Sequence, residues 1–344
     1  MNIRSPRHRL LAAVLVAIAS VNASAQAPYH LVKRITTGGE GGWDYLAVEP
    51  STHRLFVSRG SHVQVIDVDR DSMIADIGDT PGVHGIAFAS ALGRGFTSNG
   101  RDSTVTIFDL ETLATISRVK VTGRNPDAIL FDSASGRVFT FNGGSANATA
   151  IDAATGTVVG TVSLTGKPET GQSDGKGTIF VNIETKNEII AFDARTLAVK
   201  SHITLPGCDE PTGMAIDRAK SRLYVGCGGN KTMAIVDYLK GALLTTVAVG
   251  EGVDANAFDP SSGLSFASGG DGTLAVVRED APRHFAVSMV PTVRGARTMT
   301  LDPRTHRVYL SSAQYGVAPA PTAERPNPRP PMVPGSFTIL VFEP

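Results

Sequence analysis

Short apolar runs alternate with polar turns along most of the chain, and one arrangement of them returns seven times. Its centre is an aromatic residue in a run that ends in small or polar residues. The copies read RLFVSRG around Phe56, RGFTSNG around Phe96, RVFTFNG around Phe139 and TIFVNIE around Phe180, then RLYVGCG around Tyr224, LSFASGG around Phe266 and RVYLSSA around Tyr309. Successive aromatics stand 40, 43, 41, 44, 42 and 43 residues apart. A fixed interval of this size marks a repeat architecture, and a blade of four short antiparallel strands needs about this length. The pattern predicts an all-β chain folded as a seven-bladed β-propeller of four-stranded antiparallel blades.

The copy around Tyr224 shows the parts of a blade. Strands are expected over Thr212–Asp217, Arg222–Gly226, Thr232–Asp237 and Ala242–Val249, with turn residues between them. Third strands end in Asp67, Asp109, Asp152, Asp193 and Asp237. Each opens a polar turn, where a carboxylate accepts backbone N–H bonds, so these are read as turn residues and not as a catalytic set. The last copy has strands near Arg297–Leu301, Arg307–Leu310 and Ser336–Phe342 but no fourth. His30–Thr37 resembles the fourth strands elsewhere, such as Thr157–Leu164, and is expected to complete the last blade. That closure leaves no unpaired blade and ties down both ends. Residues 317–335, VAPAPTAERPNPRPPMVPG, interrupt the same blade. Their proline density excludes a sheet interior and favours extended polyproline segments. They read as a solvated loop or, alternatively, as a cover over one face or a docking segment for a protein partner.

Residues 1–25 read as a signal peptide: Arg4, Arg7 and Arg9, an apolar run from Leu10 to Val21, then Ala23-Ser24-Ala25 ahead of Gln26. The apolar run is short for a membrane span, and no other segment is apolar enough for one. The propeller then occupies 26–344 and is expected to be periplasmic or secreted, and monomeric. Without the leader, 32 basic side chains become 29 against 32 acidic ones. That slight acidity argues against nucleic acid as a partner. Cys208 and Cys227 are the two cysteines. They flank the first and second strands of one blade, so both fall in loops on the same face. A Cys208–Cys227 disulfide is expected in an oxidising compartment, and two cysteines are too few for a structural zinc site.

The seven aromatic strands, with the third-strand Asp and its turn, resemble the repeats of the YVTN β-propeller family, in particular its YncE-like secreted bacterial members. The likeness covers essentially the whole chain after residue 25. The literal Tyr-Val-Thr-Asn string is absent, and Phe139-Thr-Phe-Asn142 comes nearest. The resemblance implies a seven-bladed propeller that is periplasmic or exported, and no agreed reaction. Single-stranded DNA binding has been associated with YncE-like proteins and is carried as an alternative.

The repeat also serves as a ruler. First strands line a propeller's channel, and their starting positions align as Asp44, His84, Asp127, Glu169, Thr212, Asp254 and Arg297. Six of these seven are ionisable, which is unusual for a lining strand and marks a ligand-binding channel mouth. Arg297 is expected between Asp254 and Asp44, neutralising both, and His84 between Asp44 and Asp127. Four acids against one arginine and one histidine leave a surplus suited to a small polar or cationic ligand. His84, Asp127 and Glu169 could instead hold a divalent metal, with Ca, Mg or Mn favoured by one imidazole among carboxylates. No certain cofactor follows. Beside the DNA alternative, two functions stay open for this mouth: an exported binding or interaction scaffold, or a metal-assisted hydrolase or lyase using the same residues. Gly38-Gly-Glu-Gly-Gly42 opens no helix and is read as a turn into the channel, not a phosphate loop. Trp43 either packs beside the channel or stacks on a ligand. Asn125 and Glu210 extend the rim. His53, His62 and His306 are expected to be solvated.

Overall fold

The computed structural model describes residues 1, 29–322, 325–326, 328 and 330–344. The proposed signal peptide lies outside the described residues, apart from Met1. Among the described residues, twenty-eight strands form seven four-stranded antiparallel sheets. The innermost strands are Leu46–Glu49, Val83–Ala89, Pro126–Asp132, Pro168–Ser173, Pro211–Asp217, Val253–Asp259 and Met299–Asp302. Each packs against the inner strands of the blades before and after it, and that of blade 7 packs against that of blade 1, which closes the ring.

Hydropathy along each blade follows position in the sheet. In blade 5 the strands are Pro211–Asp217, Arg222–Cys227, Thr232–Asp237 and Ala242–Ala248, within one residue of the expected spans. The two middle strands are covered on both faces by neighbouring blades and are almost wholly buried, whereas the outer strand is half exposed. Fully covered strands need apolar side chains on both faces, so their sequences run rather than alternate. All seven motif aromatics are buried in the layers between blades. Some layers need a glycine as well as an aromatic. A Cβ on Gly95 would stand 2.1 Å from the ring of Phe108, which packs 5.9 Å from Phe56.

The five third-strand aspartates cap their turns as expected. Asp109 accepts the N–H groups of Glu111 and Thr112 at 3.0 and 2.7 Å, and Asp193 those of Arg195 and Thr196 at 2.9 and 2.8 Å. His30–Thr36 pairs with Thr338–Glu343 as the outer strand of blade 7, completing Met299–Asp302 and Arg307–Ser312.

The closure carries its own lock. The glycine-rich loop after the N-terminal strand wraps the side chain of Arg59, which is fully buried. Arg59 donates to the carbonyls of Gly38, Glu40 and Gly41 at 2.7, 3.2 and 3.2 Å and stands 3.8 Å over the ring of Phe337. Gly41, at φ 89°, leaves only 3.0 Å between a would-be Cβ and the Arg59 carbonyl, so a side chain there would push the loop off the guanidinium. Trp43 packs 5.0 Å from Phe337 and 6.4 Å from Tyr315. The proline-rich insertion starts as a short ladder, with Gly316 donating to Pro331 and Val333 to Gln314 at 2.8 Å each. Beyond it the described residues are largely exposed.

Two expectations about histidines need correction. His306 bonds the buried Asp259 of the preceding blade at 2.8 Å. His53 lies 3.6 Å from the buried Asp302, again one blade back around the ring. His306 thereby ties two blades together, whereas His53 is too far from Asp302 to donate a hydrogen bond to it.

Candidate functional site

The channel mouth is shaped by a repeated backbone irregularity. Pairing between the inner and second strands slips at Val83/Ile86, Pro126/Ile129, Pro168/Gly171, Pro211/Met214 and Val253/Ala255. The slips enclose His84, Asp127, Glu169, Thr212 and Asp254. A bulge re-aims a side chain and frees its backbone from the ladder. The freed groups are met by small polar residues of the motif. Ser98 donates to the carbonyl of Asp127, Asn182 to that of Thr212 at 2.8 Å, and Ser268 to that of Arg297. Each of these bonds crosses from one blade to the next. The SN, NI and SG endings of the motif thus position the mouth.

The ring residues meet around a cavity of about 330 Å³ lined by Asp44, Asp127, Glu169, Thr212, Asp254 and Arg297. His84 adjoins it through a 2.6 Å bond from Nδ1 to Asp44 Oδ2, with Asp127 Oδ1 at 3.7 Å. Burial opposes the imidazolium, but the hydrogen bond to Asp44 and the nearby charges of Asp127 and Asp44 outweigh it and hold His84 up at about 9. Arg297 pairs with Asp254 at 3.2 Å and no pairing with Asp44 forms, so it neutralises one neighbour and not two. Burial raises Asp254 to about 6 despite Arg297. Burial and the proximity of Asp44 raise Asp127 against the pull of His84.

Glu169 stands apart from His84. Its partner is Lys167, whose Nζ lies 2.6 Å from Glu169 Oε1 and 2.5 Å from Glu184 Oε2. Burial, then the charge of Asp127, still pushes Glu169 up to about 8. The ligating atoms of Asp44, His84 and Asp127 lie within 4.8 Å of one another. The set His84, Asp127 and Glu169 is therefore not the one brought together, since Lys167 draws Glu169 away. The donor chemistry of Asp44, His84 and Asp127 fits a divalent ion only if the imidazole gives up its proton and its bond to Asp44.

Lys167, Glu184 and Tyr45 escaped the sequence reading because they lie off the ring register. Two residues before each ring position, four blades have Gly42, Gly82, Gly252 and Gly295, whereas blades 3, 4 and 5 have Asn125, Lys167 and Glu210. Asn125 and Glu210 take φ of 51° and 52°, a left-handed backbone that glycine adopts more readily. That interruption of a glycine position was the available signal. One residue after the ring positions come Gly85, Ala128, Thr170, Gly213, Ala255 and Thr298, with Tyr45 as the single large member. Tyr45 fills the space that the others leave. It reaches from blade 1 across to blade 4, its hydroxyl 3.4 Å from Thr170 Oγ1. It lines both the mouth cavity and a second chamber of about 800 Å³ below, whose walls include Leu130, Met214, Ile216 and Phe258. Burial and the charges of Asp127, Glu169 and Asp44 push its phenol well above the ordinary value, so it stays protonated.

Cys208 and Cys227 form the expected disulfide, and both are fully buried. It fastens the loop carrying Glu210, whose carbonyl accepts the N–H of Gly228 at 2.9 Å. Among the described residues no helix is long and apolar enough to cross a membrane. No protein-family model matches the chain, and a search of curated proteins finds no match.

Proposed function

We propose that this protein is an exported binding scaffold of the YncE-like, YVTN-repeat kind whose channel mouth holds a cationic ligand. The observation that carries this reading is the convergence of carboxylates on one cavity. Asp44, Asp127, Glu169, Glu184, Glu210 and Asp254 line it, against Lys167, Arg297 and the adjoining His84. A fold that only needed stability would not gather six carboxylates, five of them half-buried, against three cations, since charge drawn out of water without a partner is costly. The cost is offset when a cation binds. The disulfide supports export, because such bonds persist in oxidising compartments.

A second reading is favoured by the cluster of Asp44, His84 and Asp127: a divalent ion there, serving a hydrolase or lyase by supplying Lewis-acid chemistry. In that case Asp44 and Asp127 bind, and His84 holds or moves the proton now on Nδ1. The two readings separate on metal content after mild purification, together with thermal unfolding in chelator. Stoichiometric metal and a large loss of stability on chelation favour the second. Thermal shifts by cations, removed by His84→Ala and Asp127→Ala in a chelator-insensitive protein, favour the first. If neither substitution alters any cation-induced shift, the mouth is not the binding site. The DNA alternative calls for a salt-sensitive retention of single-stranded DNA, and its absence removes that option.

A further inference from the structure

We infer that the mouth cavity takes an extended organic dication, two ammonium groups on a short aliphatic spacer, and that Tyr45 sets the spacer length it accepts. The inference rests on the cation-binding reading of the same cavity. The cavity, at about 330 Å³, has the size of a small-molecule pocket. Most of its carboxylates are divided between two cations. Around His84 stand Asp44 and Asp127, on blades 1 and 3. Around Lys167 stand Glu169 and Glu184 of blade 4, and Glu210 of blade 5 also lines the cavity. Each group holds more carboxylates than cations, even with His84 charged.

A point ion can serve only one of these groups. Among the described residues, ligating atoms of three side chains converge only at Asp44, His84 and Asp127, and there the imidazole already occupies Asp44 at 2.6 Å. An ammonium group carries three N–H donors and no acceptor, and two of them joined by methylenes can face both groups at once. The floor suits the spacer: Tyr45, Ala255 and Met299 line the cavity beneath the acids. Tyr45, Ala255 and Met299 also line the larger chamber, and Tyr45 is the bulkiest side chain at its position, because the residues matching it in the other blades are small. Shortening Tyr45 opens a path for a longer chain.

The test is calorimetric titration of the full chain with 1,3-diaminopropane, 1,4-diaminobutane, 1,5-diaminopentane and 1,8-diaminooctane, with butylamine, calcium chloride and manganese chloride as comparators. One of the three shorter diamines is expected to bind 1:1 and at least about tenfold tighter than butylamine, a difference of about 1.4 kcal/mol. Asp127→Asn and Glu169→Gln should each weaken it by about tenfold or more. Tyr45→Ala should shift the preference to 1,8-diaminooctane, and Tyr45→Leu serves if the alanine variant does not fold. Diamines no tighter than butylamine would overturn the two-group arrangement. Calcium or manganese binding without amine binding overturns the organic ligand and leaves the cation-binding reading standing. Failure of every cation overturns both. An unchanged length preference in the Tyr45 variants removes Tyr45 from the recognition.

Discussion

Glu49 and Glu169 are glutamates on inner strands, one at the base of blade 1 and one at the mouth of blade 4. Glu49 is the more deeply buried, with no exposed surface. Burial alone would raise it, yet it is held down at about 2, while Glu169 is pushed up to about 8. The difference lies in donors. Glu49 accepts from the N–H of Ser51 and Thr52 at 3.2 and 2.8 Å, and from the hydroxyls of Ser51, Thr52 and Ser90 at 2.8, 2.6 and 2.7 Å. Glu169 has one lysine, shared with Glu184, and other carboxylates nearby. The pattern extends around the ring. At the base, Asp132, Asp217, Asp259 and Asp302 are buried and cap their own turns. Two blades end their inner strands without an acid, at Ala89 and Ser173. There Ser90 donates to Glu49 of the preceding blade, and Ser173 to Asp132. The base satisfies its carboxylates from within, and the mouth does not. The acids at the base and those at the mouth, for which we propose a ligand, differ in what faces them, not in depth.

The comparison breaks most visibly at the base. Glu49→Ala removes a buried carboxylate together with the charge-assisted hydrogen bonds it accepts, each worth about 1.5–3 kcal/mol. A loss of about 3 kcal/mol or more in urea unfolding is expected, and a loss below about 1 kcal/mol would show that the base acids are not structural. The depressed value of Glu49 also fixes a pH window. Its contribution is fully present above about 4.5 and is lost as pH falls through about 2, and the shift corresponds to about 3 kcal/mol. Asp259, also lowered, acts in the same direction. The stability gap between wild type and Glu49→Gln should therefore shrink steadily below pH 4.5. A gap independent of pH would contradict the hydrogen-bond account.

The mouth offers a smaller counterpart in its disulfide. Cys208 and Cys227 are 19 residues apart, and a loop of about that size is worth about 3 kcal/mol in the chain-entropy picture, with strain usually reducing it. Cys208→Ser with Cys227→Ser should lower the unfolding midpoint and weaken cation binding, since the bond fastens the Glu210 loop. A destabilised variant with full affinity would leave the staple structural and detach it from the site.

These contrasts were unevenly legible in the sequence. The repeat gave the blades, the turn aspartates, the closure by the N-terminal strand and the cysteine pair, because each recurs at, or is placed by, a position in the 42-residue period. It also aligned the ring residues, since one register places one residue per blade at the mouth. The base acids recur in five of the seven blades, from Glu49 to Asp302, but resemble ordinary turn residues until their burial is known. Lys167 and Tyr45 were missed for a different reason. Each breaks the repeat at its own position, Lys167 among glycines and Tyr45 among small residues, and a ruler built on likeness passes over departures. His53 and His306 were assigned to solvent because a turn position says nothing about the acid of the neighbouring blade.

The smallest expected effect gives the sharpest test, because its sign is opposite at the two ends. Glu169 titrates above its unfolded value, so the folded protein binds more protons than the unfolded chain between about pH 4.5 and 8. Stability from this group falls as pH rises through that window, and its cost is fully felt above about 8. Glu169→Gln keeps an oxygen for Lys167 and removes the charge. It should be close to neutral at pH 5 and stabilise the unliganded protein by about 1 kcal/mol at pH 9, within the range of single substitutions. Measured in the same buffers, Glu49→Gln should destabilise at both values. If Glu169→Gln destabilises at pH 9, Lys167 already neutralises Glu169, and the mouth resembles the base after all.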